Sequence, residues 1–309
     1  MDLILTALEL GLMSSLTVLA LFLSYSMLGV CDLSTDGCFT FGAAVGAVVA
    51  ISGHPYLAIL AAMGAGALSG FVTAFLQTKM GVDSLLSGIV VNTGLYSINI
   101  AVMGNSSLLN MNKTETVFTK AKTLLSGSFL SSQYRIFVIV IFTVLVVLFL
   151  SQFLKTRIGL AIRATGDNPD MVRSSSINPA KTTIIGLCIS NSFTALSGCL
   201  LAMYQKSVNV TIGSGMLTIA LASLLIGNTF IGKSRPISAR LVGAVAGAFI
   251  FRLVYTAALR LNMPAFMLKL VSAVIVVIAI SGPYLRRRFP LFMRKMRHGR
   301  AQEEEVNNA

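Results

Sequence analysis

Six polar side chains lie inside or beside long apolar stretches, and they are the first candidates for chemistry. Polar groups are costly in an apolar environment, so they favour a functional interpretation, here a hydrophilic pathway. Asn99 is a further amide of the same kind. The sequence leaves a second interpretation open, in which the amides form hydrogen bonds between helices and an aspartate caps a helix. The six candidates are Asp32, Ser34, Asp36, Asn92, Tyr96 and Asn191.

The residues that usually perform catalysis or bind metals are poorly placed for either. The two histidines, His54 and His298, fall in a loop and in the C-terminal tail, so they form no acid/base pair with a nucleophile. The cysteines show no CxxC spacing and read as small apolar residues. We therefore predict no metal, no cofactor and no catalytic activity. The four cysteines are Cys31, Cys38, Cys188 and Cys199.

One stretch matches a nucleotide-binding pattern by its letters alone. Residues Gly227–Ser234 read GNTFIGKS, which fits GxxxxGK[ST]. A working loop of this kind follows a strand and opens a helix, whereas this one follows an apolar run and precedes Pro236. Nucleotide hydrolysis also needs a carboxylate for Mg²⁺, and none occurs between Asp170 and Glu303. We interpret Ser234-Arg235-Pro236 as a basic cytoplasmic turn that enters the next helix.

The composition indicates that the elements positioning these residues are embedded in a membrane. Of 309 residues, 55% are hydrophobic and only 11% are charged, against about 25% charged residues in soluble proteins. The mean hydropathy is +0.82. The net charge of +13 comes from short loops and the tail. Because these basic residues are not interleaved with aromatics on one face, we expect a lipid bilayer and no nucleic acid as the partner.

The apolar runs predict an all-α, polytopic membrane protein of about nine transmembrane helices, since about 20 apolar residues cross the hydrocarbon core. The first run is too long for a cleavable signal. Phe39–Ile51 and Met216–Ile231 are short, so the number of crossings could be eight. The nine runs are Ile4–Val30, Phe39–Ile51, Tyr56–Thr78, Leu85–Met103, Ile136–Leu154, Thr182–Met203, Met216–Ile231, Ser238–Leu259 and Ala265–Ile280.

The two short runs occupy matching places in the two halves of the chain, which indicates an internal repeat. Basic loops around Lys155–Lys181 and Lys233–Arg240, and the tail, place the C-terminus in the cytoplasm. Four helices then run opposite to the other four, as in an inverted-topology repeat. Aligned positions are Gly37 with Gly215, Thr40 with Thr218, Ala44 with Ala222, Gly66 with Gly243, Ala67 with Ala244 and Gly70 with Gly247.

The loop from Thr156 to Lys181 is longer than a simple connection requires. Asn168-Pro169-Asp170 has the features of a helix start: an asparagine N-cap, a proline at the first position and an acid in the first turn. We predict a helix of about two turns over Pro169–Ser176. It is interpreted as a docking element for a cytoplasmic partner, although an ordinary surface turn remains possible.

Three segments resemble permeases of ABC importers of the branched-chain amino acid and ribose type. They read VCDLSTDGCFTFGAAV, RIGLAIRATGDNPDMVRSSSIN and SNSFTALSGCLLAMY. The first is most similar to the tryptophan/tyrosine-type permeases, and the resemblance extends from about Leu8 to Pro283. It implies a second permease copy, most simply a homodimer, two separate ATPase subunits, and an extracytoplasmic solute-binding protein. It also implies location in the plasma or inner membrane.

The apolar runs and basic loops divide what we expect to be a single permease domain, 1–309, into four parts. Repeat one covers about 1–104, the linking helix and coupling loop about 135–181, repeat two about 182–282 and the basic tail 284–309. The expected function is a pathway for a small solute such as an amino acid. An ion-coupled secondary transporter or a membrane scaffold are the alternatives. The residues that fall in the ATPase-coupling region are Gly166, Asp167, Asn168, Pro169, Asp170, Met171, Val172 and Arg173.

One position departs from the pattern of that family. Ser174-Ser175-Ser176 stands where relatives often have a glycine, so the turn after the predicted docking helix is in question.

Overall fold

A computed structural model describes residues 2–124, 133–232, 235–260, 267, 270–277 and 281. The chain is predominantly helical. In order, its elements are α1 (Asp2–Leu21), a π-helical turn (Phe22–Met27), α2 (Thr35–Ile51), α3 (Pro55–Thr78), α4 (Ser84–Val102), β1 (Leu108–Asn110), α5 (Val117–Leu124), α6 (Tyr134–Phe153), α7 (Arg157–Asp167), α8 (Pro169–Ser174), α9 (Pro179–Gln205), β2 (Ser207–Asn209), α10 (Met216–Ile231) and α11 (Ile237–Arg260).

In the described part of the chain, six helices are long and apolar enough to cross a membrane. These six helices are α1 together with its π-helical turn, α3, α4, α6, α9 and α11. The helices α2 and α10 are apolar but shorter, which agrees with the two short runs in the sequence. These helices confirm a helical, multi-pass membrane protein.

The predicted boundaries need correction in the first third of the chain. The first span ends at Met27 instead of Val30, and its last turn is π-helical. The second begins at Thr35, four residues before Phe39, because Asp32 and Thr35 form a hydrogen-bonded turn that starts the helix: the Thr35 hydroxyl donates to the Asp32 carbonyl at 2.8 Å. The prediction underestimated this helix because it counted only apolar residues.

The predicted ninth span and the tail fall partly or wholly outside the described residues. Of Ala265–Ile280, residues 270–277 are helical. The basic tail, 284–309, and the pair Lys233 and Ser234 lie outside the described residues.

The centre of the bundle is formed by α9 and α1. The helix α9 packs against α2 and α3, while α1 packs against α11 and against α9. Small residues make these approaches close: a Cβ on Gly66 would lie 2.3 Å from the Asn191 carbonyl oxygen, and one on Gly70 would lie 2.4 Å from that of Leu187. Such packing suits helices in lipid, where no hydrophobic effect drives them together.

A two-stranded antiparallel ladder departs from the predicted all-α architecture. Strand β1, after α4, pairs with β2, after α9, with Leu108 opposite Asn209. The Val210 amide extends the contact by donating to the Ser107 carbonyl at 3.0 Å. Each strand has only three residues, which is too short to show the alternation of apolar and polar residues by which strands are predicted from sequence. The strands become evident only from the pairing of the two loops in the structure.

Candidate functional site

Asp32 lies at the centre of a buried hydrogen-bonded group. Its carboxylate accepts from the Asn191 side-chain amide at 2.8 Å and from the Ser34 backbone amide at 2.8 Å. The Thr73 hydroxyl donates to the Ser34 hydroxyl at 3.3 Å. Asp32 and Asn191 are each only 1% exposed. We call Asp32, Ser34, Asn191 and Thr73 the Asp32 cluster; it joins the start of α2 to α9 and α3.

Asp36, one helical turn later, lies in the first turn of α2, and its side chain reaches the beginning of α10. Its carboxylate accepts from the backbone amides of Gly215, the N-cap residue of α10, at 2.8 Å and of Leu217, in its first turn, at 2.7 Å. The N-cap residue of α10 is Gly215, which has a φ of +87° and no side chain to cap the helix. Asp36 therefore caps α10 from α2, and a negative charge is favourable at this positive end of the helix dipole.

The chain before α10 is pressed against α2. Thr40 accepts from the Gly213 backbone amide at 3.1 Å. A Cβ on Gly213 would lie 2.1 Å from the Asp36 carbonyl oxygen, so any larger residue there would move the two segments apart. The hydroxyl of Thr40 and the carboxylate of Asp36 thus hold the entry to the short helix α10 in a fixed place.

Beside these contacts lies a polar cavity of about 230 Å³, which we call the Asp36 cavity. It brings together three of the six sequence-predicted pathway residues, Asp36, Asn92 and Tyr96. The other three, Asp32, Ser34 and Asn191, belong to the Asp32 cluster and do not line it. The full lining is Asp36, Gly37, Thr40, Asn92, Tyr96, Asn99, Val210, Thr211 and Ser214.

The amide of Asn99 offers the cavity an unused hydrogen-bond acceptor. Its Nδ2 donates to the Gly37 carbonyl at 3.2 Å, whereas its Oδ1 is buried without a partner. The side chain is 1% exposed. A buried acceptor without a partner is costly, so this oxygen is suited to a donor group on a bound solute.

Sequence reasoning missed the hydroxyl side of this cavity. Thr40, Thr211 and Ser214 were not proposed as site residues, because Thr and Ser are common in membrane helices and loops. The sequence did carry a signal for the opposite wall of the cavity. Asn92, Tyr96 and Asn99 follow the i, i+4, i+7 spacing that places side chains on one face of α4.

The cavity's groups are suited to binding rather than to bond making. It contains one carboxylate, two amides, a phenol and hydroxyls, which together can orient a small polar molecule. Among the residues that the structure describes, no group of three or more His, Cys, Asp or Glu side chains could hold a metal ion. The four cysteines are all free thiols, two of them buried.

The predicted docking helix is present, with its cap as expected. Asn168 Oδ1 accepts from the backbone amides of Asp170 and Met171, both at 3.0 Å, and Pro169 occupies the first turn. The side chain of Val172 is buried, while that of Met171 is exposed. Val172 therefore packs α8 against the rest of the protein, and Met171 presents an apolar side chain on the outer surface of the helix.

The end of α8 differs from the prediction. The helix stops at Ser174, two residues earlier than expected, and Ser176 has a φ of +62°. A left-handed backbone costs a residue with a Cβ about 1–2 kcal/mol, which glycine avoids. Ser176 is therefore the position at which a glycine would fit the turn.

A second helix, α7, precedes α8 and was not predicted. It runs from Arg157 to Asp167 and is capped by Thr156, which accepts from the Gly159 amide at 3.2 Å. Gly166 touches the end of the π-helical turn, since a Cβ there would lie 2.1 Å from the Met27 carbonyl oxygen. The loop therefore contains two helices in series. The prediction failed because charged and apolar residues of α7 were read as an irregular connection.

The described part of the nucleotide-like stretch, residues 227–232, is mostly helical and is not a loop that follows a strand. Its first glycine, Gly227, lies inside α10, which continues to Ile231. A Cβ on Gly227 would lie 2.2 Å from the Gly243 carbonyl oxygen. This glycine therefore serves the packing of α10 on α11.

Long apolar helices around a polar cavity define a multi-pass membrane protein that can carry a polar solute. The chain belongs to the family described as the branched-chain amino acid transport system / permease component, whose model matches residues 3–280. It is thus a permease subunit of an ABC importer that forms a translocation pathway for a small solute, and the resemblance found in the sequence is confirmed. Membership implies ATPase and solute-binding protein partners.

The chain is similar to several transport permeases. A tyrosine transport system permease protein of Clostridioides difficile is 34% identical over 268 residues, covering 86% of each chain. A ribose import permease protein of Escherichia coli is 26% identical and covers 81% of this chain and 75% of its own. A guanosine ABC transporter permease protein of Bacillus subtilis is 28% identical and covers 72% and 70%. No solved structure matches the chain.

Proposed function

We propose that this permease carries an amino acid, with the Asp36 cavity as part of its pathway. The observation that carries the proposal is that Asn99, whose buried Oδ1 has no hydrogen-bond partner, lines a cavity that also contains a carboxylate. An α-ammonium group is a donor with a positive charge, and it complements both groups. The tyrosine transport relative supports an aromatic amino acid as the first substrate to test.

The pathway is proposed to be completed by a second copy of the chain. Tyr96 is 52% exposed and Asn92 is partly exposed, so this polar cavity is open on the side of α4. Polar groups at membrane depth are tolerated where they face protein or a water-filled cavity. A second copy of the chain packed against α4 would cover the open side of the cavity with protein. The expected assembly is a dimer with twice the 32.8 kDa mass of the chain.

The coupling role of residues 166–173 is also proposed. The well-capped α8, with Val172 inward and Met171 outward, supports docking of an ATPase subunit on this helix. ATP hydrolysis would then occur on the partner and not on this chain, and closure of the ATPases would push α8 against the bundle.

We further propose nine spans, an inverted repeat and a cytoplasmic C-terminus. The packing pattern supports the repeat: α3 lies on α9, and their proposed counterparts α11 and α1 pack on each other in the same way. The helix pairs α2–α3 and α10–α11 correspond likewise. In this arrangement α8 faces the cytoplasm, and alternating access would move one repeat against the other.

Reconstitution tests the proposal directly. The chain is placed in liposomes with its ATPase and solute-binding protein partners, and uptake of labelled tyrosine, tryptophan, leucine and ribose is measured. We expect ATP-dependent uptake of an amino acid, which the change Asn99→Leu reduces at least about tenfold. Uptake by the chain alone on an ion gradient would contradict the proposal and favour a secondary transporter. Absence of uptake of all substrates under full assembly would favour a scaffold.

A further inference from the structure

A second polar cavity, of about 580 Å³, lies where the π-helical turn meets α7, α10 and α11. We call it the two-arginine cavity. It is separate from the Asp36 cavity, with which it shares no lining residue. Its lining is Tyr25, Ser26, Met27, Gly29, Arg163, Asp167, Leu225, Asn228 and Arg240.

The guanidinium of Arg240 is held in place but is not neutralised. One Nη donates to the Ser26 hydroxyl at 2.8 Å, and the group lies 5.2 Å from the centre of the Phe22 ring. Its Nε is buried and has no hydrogen-bond partner. A fixed guanidinium with a free donor is a ready partner for an oxyanion.

A second arginine faces the same space. Arg163 of α7 is close enough for its charge to act on Arg240. In the described part of the chain the ion pairs are Lys120–Glu115 and Arg173–Asp170, so neither arginine of this cavity is paired. The one acid in the lining, Asp167, is exposed to solvent at the end of α7.

We propose that the two-arginine cavity binds a phosphate group, bridging Arg163 and Arg240. Two like charges that face one cavity repel each other, and a negatively charged phosphate group between them offsets that repulsion. A phosphate also supplies acceptors for the free Nε of Arg240 and for the amide of Asn228. The group comes either from the headgroup of an anionic lipid or from free phosphate, which share this chemistry.

The position of the site gives such binding a consequence. Arg163 belongs to α7, which leads directly into α8, while Arg240 lies at the start of α11. A phosphate held by both would tie the loop that carries α8 to the membrane bundle. This inference does not depend on the solute or on the Asp36 cavity.

The test uses the full-length chain purified in a maltoside detergent, which contains no phosphate. One arm measures binding of radiolabelled inorganic phosphate at constant ionic strength. The other adds short-chain phosphatidylglycerol and counts retained lipids by native mass spectrometry. The variants are Arg163→Gln and Arg240→Lys, with Arg157→Gln as the control, because Arg157 is exposed on the same helix outside the lining.

We expect one phosphate-bearing ligand per chain, with affinity reduced at least about tenfold in both cavity variants and unchanged in the control. Binding of inorganic phosphate identifies free phosphate as a ligand; retention of the lipid alone identifies a headgroup site. The proposal is overturned if neither probe binds the unaltered chain, or if Arg157→Gln weakens binding as much as Arg163→Gln does. Arg163 is partly exposed, so its variant alone decides the matter should Arg240→Lys not fold.

Discussion

Asp32 and Asp36 are four residues apart on the chain, yet they occupy environments of opposite kinds. Asp32 is buried in a cluster with Asn191 and Ser34 and is only 1% exposed. Asp36 caps α10 and also lines an open cavity. A carboxylate in an apolar stretch can therefore hold helices together or line a cavity, and access to free space distinguishes the two.

The two carboxylates share one feature, which is that each connects the two halves of the chain. Asp32 reaches α9 through Asn191, and Asp36 reaches the first turn of α10. Both bonds hold the beginning of α2 against the second half. Only Asp36 has additional space beside it for a solute.

The largest effect is expected from Asp32→Ala. It leaves the Asn191 amide and the Ser34 backbone amide buried without acceptors, at a cost of about 3 kcal/mol or more. The apparent unfolding midpoint in detergent micelles, and the yield of monodisperse protein, measure this loss. Asn191→Ala, which removes only one donor, is the control and should cost less. A midpoint for Asp32→Ala equal to that of the unaltered protein would show that the cluster is not structural.

A smaller loss of stability, with a loss of transport, is expected from Asp36→Ala. Removing a helix cap costs about 0.5–2 kcal/mol, and the cavity also loses its charge. The matched control is Asp83→Ala, because Asp83 caps α4 by accepting from the Leu85 amide at 2.9 Å and is absent from the cavity lining. Both variants should lower the unfolding midpoint by similar amounts, and Asp36→Ala alone should lower uptake. Equal uptake by the two variants would remove Asp36 from the pathway.

Asn92→Ala should separate binding from stability. The side chain is only partly buried, so the midpoint should change by no more than about 0.5 kcal/mol. Loss of a cavity amide should raise the KM for uptake several-fold, up to about tenfold. Thr93→Ala serves as the control, since Thr93 is exposed, is absent from the cavity lining and donates to the Ile89 carbonyl of its own helix at 2.9 Å. An unchanged KM would place the pathway away from this face of α4.

The smallest effect is expected from Thr73→Val. Its hydroxyl donates to Ser34 at the periphery of the Asp32 cluster and lies 3.1 Å from the Ser69 carbonyl. Loss of these bonds should cost about 1 kcal/mol, with uptake at saturating substrate unchanged. A transport defect without a stability defect would show that the cluster also takes part in transport, and the contrast with Asp36 would weaken.

Local features of the fold were predictable because they depend on neighbouring residues. The cap of α8 needs only Asn168 and the two residues that follow, and the structure has it as predicted. The same holds for α10, whose bounds match its apolar run, whereas α2 begins four residues before its apolar run. The helix α7 was missed because it mixes polar and apolar residues, so no apolar run announces it.

Contacts between segments that are far apart in the sequence could not be predicted from neighbouring residues. The pairing of β1 with β2 and the bond from Asn191 to Asp32 join residues about 100 or more positions apart. No local pattern encodes such a pair, because its free energy depends on how the intervening helices pack.

The sequence by itself determined that this chain lies in a membrane as a bundle of helices, because each apolar run must satisfy its own backbone hydrogen bonds in lipid. It also indicated which polar residues deserved study, with Asp32 and Asp36 as equals. Only the tertiary structure decided between them. Their difference depends on what the second half of the chain brings to each carboxylate: an amide that closes around Asp32, and a helix end with open space beside Asp36.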